Sequence, residues 1–200
     1  MIVKQLRVGT MANFVYLLVD ETSKEGMLVD SGWETAPIIS EVGRLGAKVK
    51  FAVATHEHFD HVSTLRDVAA KLGAKVVAHD YSPLDCDIRV KDGEELDLGG
   101  HRVRVLHTPG HTEDSICMYD GRHVFTGDTL FVGTIGNFDR ERAEAMHHSL
   151  YGVILKLPPS TMVYPGHDYG DVPYRTLGEE AASNPFLMAS DLRSFLSAFS

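Results

Sequence analysis

The chain has 200 residues, 44% of them hydrophobic and 24% charged, with a formal net charge of -9. That composition suits one globular domain over residues 1–200 with a core that needs no staples, and the two cysteines, Cys86 and Cys117, are too few for a disulfide framework. The acidic balance and the absence of basic runs argue against nucleic acid or an anionic membrane as partner, and no apolar run reaches the length of a membrane span. Both cysteines are expected to be small buried side chains. A reducing, cytoplasmic setting is expected, because residues 1–5 make no secretory leader: Lys4 breaks a short apolar stretch.

Residues 2–8 alternate as a strand, 14–19 form a buried apolar strand, and 26–30 form a third that ends in the turn pair Ser31-Gly32. Residues 34–45 carry helical spacing, with Pro37 in the first turn and Gly46 as the stop. A strand over 49–54 leads into a histidine-rich stretch, followed by a helix over 62–72 and a short strand over 75–78. Residues 94–98 and 102–106 flank Gly99-Gly100 as a hairpin, and 115–119 pairs with 123–126 through Asp120-Gly121. Residues 140–157 are helical up to Pro158-Pro159, 162–164 is a strand, and two helical stretches close the chain. In the last of these, 185–199, Met188, Leu192, Phe195, Leu196 and Phe199 share a stripe read as core packing, with a homodimer interface as the alternative. Strands then a helix, repeated, give an α/β (α+β) layered domain with helices packed on sheets.

The chemistry concentrates in His56-Glu57-His58-Phe59-Asp60-His61. Residues two apart in extended chain point to one side, so His56 and His58 can reach one metal. Asp60 and His61 come as the chain turns helical and suit a second metal; taken alone, Asp60 also reads as a helix N-cap. Three later stretches repeat one arrangement: an apolar strand feeds a glycine turn that carries a ligand type, in Gly110-His111, Gly127-Asp128 and Gly166-His167. Asp30 reads equally as a turn residue or as a buried group orienting a ligand. His79, His101, His107, His123, His147 and His148 lie off this pattern and read as ordinary surface or core histidines.

The set H-x-H-x-D-H, then His111, Asp128 and His167, resembles the metallo-β-lactamase superfamily over nearly the whole chain. Phe125–Phe131 and the stretch through Tyr164-Pro165-Gly166-His167-Asp168-Tyr169 are similar to its glyoxalase II and persulfide dioxygenase branches. The resemblance implies a four-layer αββα sandwich with the metals at one edge of the sheets. It implies that His56, His58 and His111 hold one metal, that Asp60, His61 and His167 hold the other, and that Asp128 bridges them. It makes Asp60 and Asp128 the catalytic carboxylates and Asp30 the buried acid beneath the site. Two divalent ions are implied, zinc first, with iron or manganese also suited to imidazole and carboxylate ligands.

Two such ions share a water, lower its pKa toward neutrality and polarise a carbonyl. The expected activity is hydrolysis of a small thioester or ester, of the hydroxyacylglutathione hydrolase kind, by a metal-bound hydroxide. Lactone or β-lactam opening is a side reading, and a non-catalytic metal-binding module leaves both complete metal sets unexplained. Glyoxalase II reads glutathione through a Lys and a Tyr where this chain has Asn137 and Asp139, and through a Tyr that Tyr169 matches. Asn137 and Tyr169 are therefore the candidate substrate contacts, with Asp168 as a polar neighbour, and no helical glutathione-binding domain is expected after Asn184-Pro185. Persulfide dioxygenases hold one iron at positions matching His56, His111 and Asp128 and carry an Arg at the Asn137 position; that reading ranks second.

Overall fold

The alternation along β2 (Asn13–Val19) explains the layering, because every one of its residues is buried. Phe14, Tyr16 and Leu18 face one apolar cluster, and Val15, Leu17 and Val19 face another. A strand covered on both faces lies inside a stack of layers rather than on a surface.

The computed structural model describes residues 1–189 and 191–198. The first sheet has six strands in chain order: β1 (Ile2–Val8), β2, β3 (Glu25–Val29), β4 (Lys48–Val53), β5 (Lys75–His79) and β6 (Ile88–Val90). The second runs β12 (Arg175–Thr176), β11 (Met162–Pro165), β10 (His123–Gly127), β9 (Ile116–Tyr119), β8 (His101–His107) and β7 (Glu95–Leu98). Between the sheets Phe14, Tyr16, Met27, Val53 and Val77 meet Leu98, Val103, Val105, Met118 and Phe125. Outside the first sheet lie α1 (Thr35–Leu45) and α3 (Leu65–Leu72), which contribute Ile38, Val42 and Val68. Outside the second lies α4 (Ala143–His148), whose Met146 packs with Cys117, Val124 and Leu150. The order is helix, sheet, sheet, helix, as the resemblance implies.

Several elements depart from the sequence reading. The helix expected over 62–72 is two pieces, α2 (Phe59–Val62) and α3. Ser63 Oγ donates to the Gly32 carbonyl and Thr64 Oγ1 bonds the Ser31 and Trp33 carbonyls, so hydroxyls engaged with the β3 turn interrupt the helix. The edge strands β6 and β12 were not expected, and at three and two residues they are too short to carry a period. The last helical stretch is α6 (Leu192–Ala198) alone, preceded by α5 (Leu177–Ser183), because Pro185 holds Asn184 out of the helical region at ψ 116°. Phe195 is buried against Phe138 and His147 as core packing, Met188 is exposed, and Phe199 lies outside the described residues. Cys117 is buried as expected, whereas Cys86 is only partly so. Among the described residues no helix is long and apolar enough to cross a membrane.

Candidate metal centre

Strand direction decides where the ligands collect. β3 and β4 run parallel, as do β10 and β11, and β8 runs with β10 because both are antiparallel to β9. The C-terminal ends of these five strands share one edge, where the Asn13–His167 bridge and the Ile116 N–H to Thr55 carbonyl bond tie the two sheets together. Asp30 follows β3, the His56–His61 stretch follows β4, His111 follows β8, Asp128 follows β10 and His167 follows β11.

Seven side chains far apart in sequence form three overlapping groups: His56, His58 and His111; His56, His61 and Asp128; Asp60, His61 and His167. Within each group the ligand atoms lie within 4.8 Å of one another. Asp128 shares its group with one histidine from each of the other two. His111 Nε2 lies 2.9 Å from His58 Nδ1, and His61 Nε2 lies 3.1 Å from His167 Nε2. Asp60 is part of α2, and the cap residue there is His58, so Asp60 is not an N-cap.

The far side of each ring fixes which nitrogen faces inward. His61 Nδ1 donates to Asp30 Oδ2 at 3.0 Å, His111 Nδ1 to the Asn137 carbonyl at 2.6 Å, and His167 Nδ1 to the Met11 carbonyl at 2.9 Å. Thr55 Oγ1 donates to Asp30 Oδ2 at 2.7 Å and so accepts from His56 Nδ1 at 3.1 Å. Four rings therefore turn Nε2 toward the centre, the nitrogen that metal-ligating histidines offer. Asp30 also accepts the Thr55 N–H at 2.7 Å and sits at φ 60°, a conformation that short polar residues tolerate. It is buried, and its carboxylate is spent on Thr55 and His61.

The donors fit divalent cations on a structural test. His56 Nε2 and Asp128 Oδ1 are buried with no hydrogen-bond partner, a costly state that a cation between them removes. Two glycines make room. A Cβ on Gly166 would strike Asp128 Oδ1 and, at 2.9 Å, His61 Cε1, while Gly127 takes the left-handed φ of 47°. Burial opposes charge on His61 and His167, yet nearby carboxylates outweigh it. Asp128 and Asp30 raise His61, and hydrogen bonds to Asp128 and Asp60 raise His167 to about 10. Burial prevails at His56 and His111 and holds both below the usual imidazole range. Burial also disfavours charge on Asp60 and Asp128, but hydrogen bonds from His167 and Asn13 to Asp60, and the His61 and His167 rings beside Asp128, keep both carboxyls well below the usual range.

The remaining sequence candidates are less central. Tyr169 lies flat on His167, with ring centroids 4.6 Å apart and planes at 8°. The exposed Asn137 serves the centre through its backbone carbonyl. Asp168 is engaged by Arg7 Nε at 3.0 Å, so it is no free polar contact. The six other histidines join no ligand group among the described residues; His79 stacks on His107 at 4.0 Å, and His123 bonds Asp120 at 2.8 Å. Sequence reasoning missed Asn13 and Trp33. Asn13 Nδ2 donates to Asp60 Oδ2 at 2.9 Å, and Asn13 Oδ1 accepts from Trp33 Nε1 at 2.7 Å. The one available signal was a polar residue heading a wholly apolar strand.

A conserved sequence profile for the metallo-beta-lactamase superfamily matches residues 8–83 and 80–167. The chain belongs to that superfamily. It is 32% identical over 169 residues to a probable polyketide biosynthesis zinc-dependent hydrolase, PksB, of Bacillus subtilis, covering 80% of this chain and 75% of that protein. It is 31% identical over 195 residues to the human mitochondrial persulfide dioxygenase ETHE1, covering 94% of this chain and 77% of the relative. A probable hydroxyacylglutathione hydrolase, glo2, of Schizosaccharomyces pombe is 34% identical over 168 residues, 80% of this chain and 66% of that one. The crystal structure of ETHE1 from Myxococcus xanthus superposes with a TM-score of 0.92 at 32% identity, covering 98% of this chain and 89% of that one. Hydrolases and a dioxygenase thus stand at similar distance from this metal-enzyme chain.

Proposed function

We propose that the chain is a dinuclear metal-dependent hydrolase of thioesters or esters, related in chemistry to hydroxyacylglutathione hydrolase. The observation that carries this reading is the completeness of both ligand groups, His56/His58/His111 and Asp60/His61/His167, with Asp128 between them. In the second group His61 is bonded to the buried Asp30 and Asp60 to Asn13, so its donors are held in place as firmly as those of the first. When bound, two divalent ions supply a water activated near neutral pH and polarise the scissile carbonyl. In thioester hydrolysis the C–S bond breaks, the water oxygen stays on the acyl carbon and a proton goes to the departing thiol.

The protein's own part is to hold the ligands before substrate arrives. The Thr55–Asp30–His61 chain of hydrogen bonds fixes two rings at once, and the Asn137 and Met11 carbonyls fix His111 and His167. Such preorganisation spares the site reorganisation during the reaction. A thiolate leaves readily, which suits a centre whose acids, Asp60 and Asp128, stay ionised at neutral pH.

The second reading is a mononuclear iron persulfide dioxygenase, favoured by the superposition on ETHE1. One experiment separates the two. The purified protein, loaded separately with zinc and with iron, is analysed for metal content and assayed on S-lactoylglutathione and for oxygen uptake with glutathione persulfide. Two metals per chain with thioester turnover support the hydrolase. One iron per chain with oxygen uptake supports the dioxygenase.

A further inference from the structure

β3 and β4 lead into the metal centre at their C-terminal ends. At their starts, and at the start of the parallel β5, the chain places lysines. Lys24 precedes β3, Lys48 opens β4, and Lys75 opens β5, where it pairs in register with Phe51. Lys50 follows in β4, and Lys71 stands in the last turn of α3. Five of the eight lysines in a chain of net charge -9 thus gather at one edge of the first sheet. The six residues of β4, at about 3.3 Å each, set this edge roughly 20 Å from the metal centre.

Two ordinary roles account for part of this cluster. Lys71 ends α3 as Arg44 ends α1, and a cation there offsets the negative end of a helix. Lys50 sits where the β3–β4 register slips by one residue. The bulge turns its ammonium to Glu25 Oε2 at 3.0 Å and to the Asp97 carbonyl at 3.3 Å, which ties the two sheets together. Lys48 and Lys75 have neither role. Both are exposed, and no hydrogen bond or salt bridge engages either ammonium among the described residues. Asp87, whose charge Lys75 feels, is already held by Arg66 and by the Val76 N–H. Lys48 and Lys75 line a groove of about 510 Å³ with Lys50, Val49, Phe51 and Leu72, a size common among small-molecule sites. Val49 is buried, and Phe51 and Leu72 pack on the cores to either side of the sheet, so these three lie deeper than the exposed ammoniums. No Asp or Glu lines the groove among the described residues.

We infer that this groove is a binding site for a small amphipathic anion. Its apolar part lies on Val49, Phe51 and Leu72, and Lys48 and Lys75 hold its carboxylate or phosphate. The charge pattern selects the class. Ammoniums without a counter-charge make a local positive potential on an otherwise acidic protein, and an ammonium accepts an anion as a point charge with little directional demand. The apolar lining selects against a ligand that is charged throughout, because burying apolar surface is what it offers. The groove lies at the far end of β4 from the metal centre, and its ligand does not depend on the hydrolase reading.

The test titrates the zinc-loaded, isotope-labelled full chain with octyl phosphate, octanoate, ethyl phosphate and neutral octanamide, followed by amide resonances. We expect octyl phosphate and octanoate to move the resonances of residues 47–51 and 72–75. Ethyl phosphate should bind about tenfold or more weakly than octyl phosphate, because it lacks six methylenes to bury. Octanamide should bind about tenfold more weakly than octanoate, because it lacks the charge. A preference for octyl phosphate assigns a phosphate to the lysine pair, and a preference for octanoate assigns a carboxylate. The double variant Lys48→Gln/Lys75→Gln should weaken both anions about tenfold and leave metal content and melting temperature unchanged, since only exposed side chains are altered. Unchanged affinity in that variant overturns the anchor. Equal binding of ethyl and octyl phosphate overturns the apolar half of the site. Shifts confined to the segments around His56–His61, His111 and His167 place the anion on the metal centre and overturn the groove altogether.

Discussion

Replacing Asp30 by Asn isolates what a buried carboxylate does beneath a metal centre. Asp30 accepts three hydrogen bonds: Thr55 N–H at 2.7 Å, Thr55 Oγ1 at 2.7 Å and His61 Nδ1 at 3.0 Å. Asn has the same shape, tolerates the φ of 60° and still offers a carbonyl to the Thr55 N–H. Its amide N–H, however, faces His61 Nδ1, which must then accept. The ring proton moves to Nε2, the nitrogen that lies 3.3 Å from Asp128 Oδ1 and 3.4 Å from Asp60 Oδ2. A protonated Nε2 cannot ligate, so affinity for the second metal equivalent should fall about 10- to 100-fold, or roughly 1.4–2.8 kcal/mol. Asp30→Ala should add a folding defect of roughly 2–5 kcal/mol, because it leaves the buried Thr55 N–H unpaired and places Ala in the left-handed region. Metal-competition titrations measure the first effect and denaturant unfolding of the metal-free proteins the second. An Asp30→Asn protein that binds both equivalents with unchanged affinity would refute the orienting role.

Four further outcomes follow from the same geometry. Asn13→Ala should weaken the second equivalent about tenfold and shift Trp33 emission to the red, as Asp60 and the indole N–H lose their shared partner; unchanged emission would remove the link. Gly166→Ala should cost about 1–3 kcal/mol and lower metal occupancy, since its Cβ meets Asp128 Oδ1 and His61, and full occupancy by mass spectrometry would contradict it. Metal binding at pH 7 should release protons, because His61 and His167 are raised in the metal-free protein and must become neutral to ligate. Calorimetry in buffers of different ionisation enthalpy reads that release, and apparent affinity should climb with pH. For the metal-free protein, the His167 contribution to stability is complete below an unfolded value near 6.5 and is lost as pH rises through about 10. The Asp60 and Asp128 contributions are present above about 4 and fade in acid. Stability curves at graded pH check both limbs.

The residues that gather at the candidate centre were legible because ligand chemistry is carried by residue type, and four of the seven fall in one six-residue stretch. The buried strands were legible for a similar reason: Phe14, Tyr16 and Leu18 alternate with Val15, Leu17 and Val19, and both sets are apolar. Asn13, Trp33 and the Met11 carbonyl were not legible. Their roles depend on a β1–β2 turn lying against loops that are 20, 47 and 156 residues away in the chain, and nothing local in the chain records that approach. The break between α2 and α3 had the same origin, since Ser63 and Thr64 bond the β3 turn rather than their own helix.

What this sequence determined by itself was the inventory: the ligand types, the apolar faces and the glycines that a crowded edge requires. Tertiary structure alone decided the partition. Parallel pairing in both sheets brings five strand ends to one edge. The far-side hydrogen bonds then select which nitrogen of each ring faces the centre, because a proton's position on imidazole is set by its partner and not by its place in the chain.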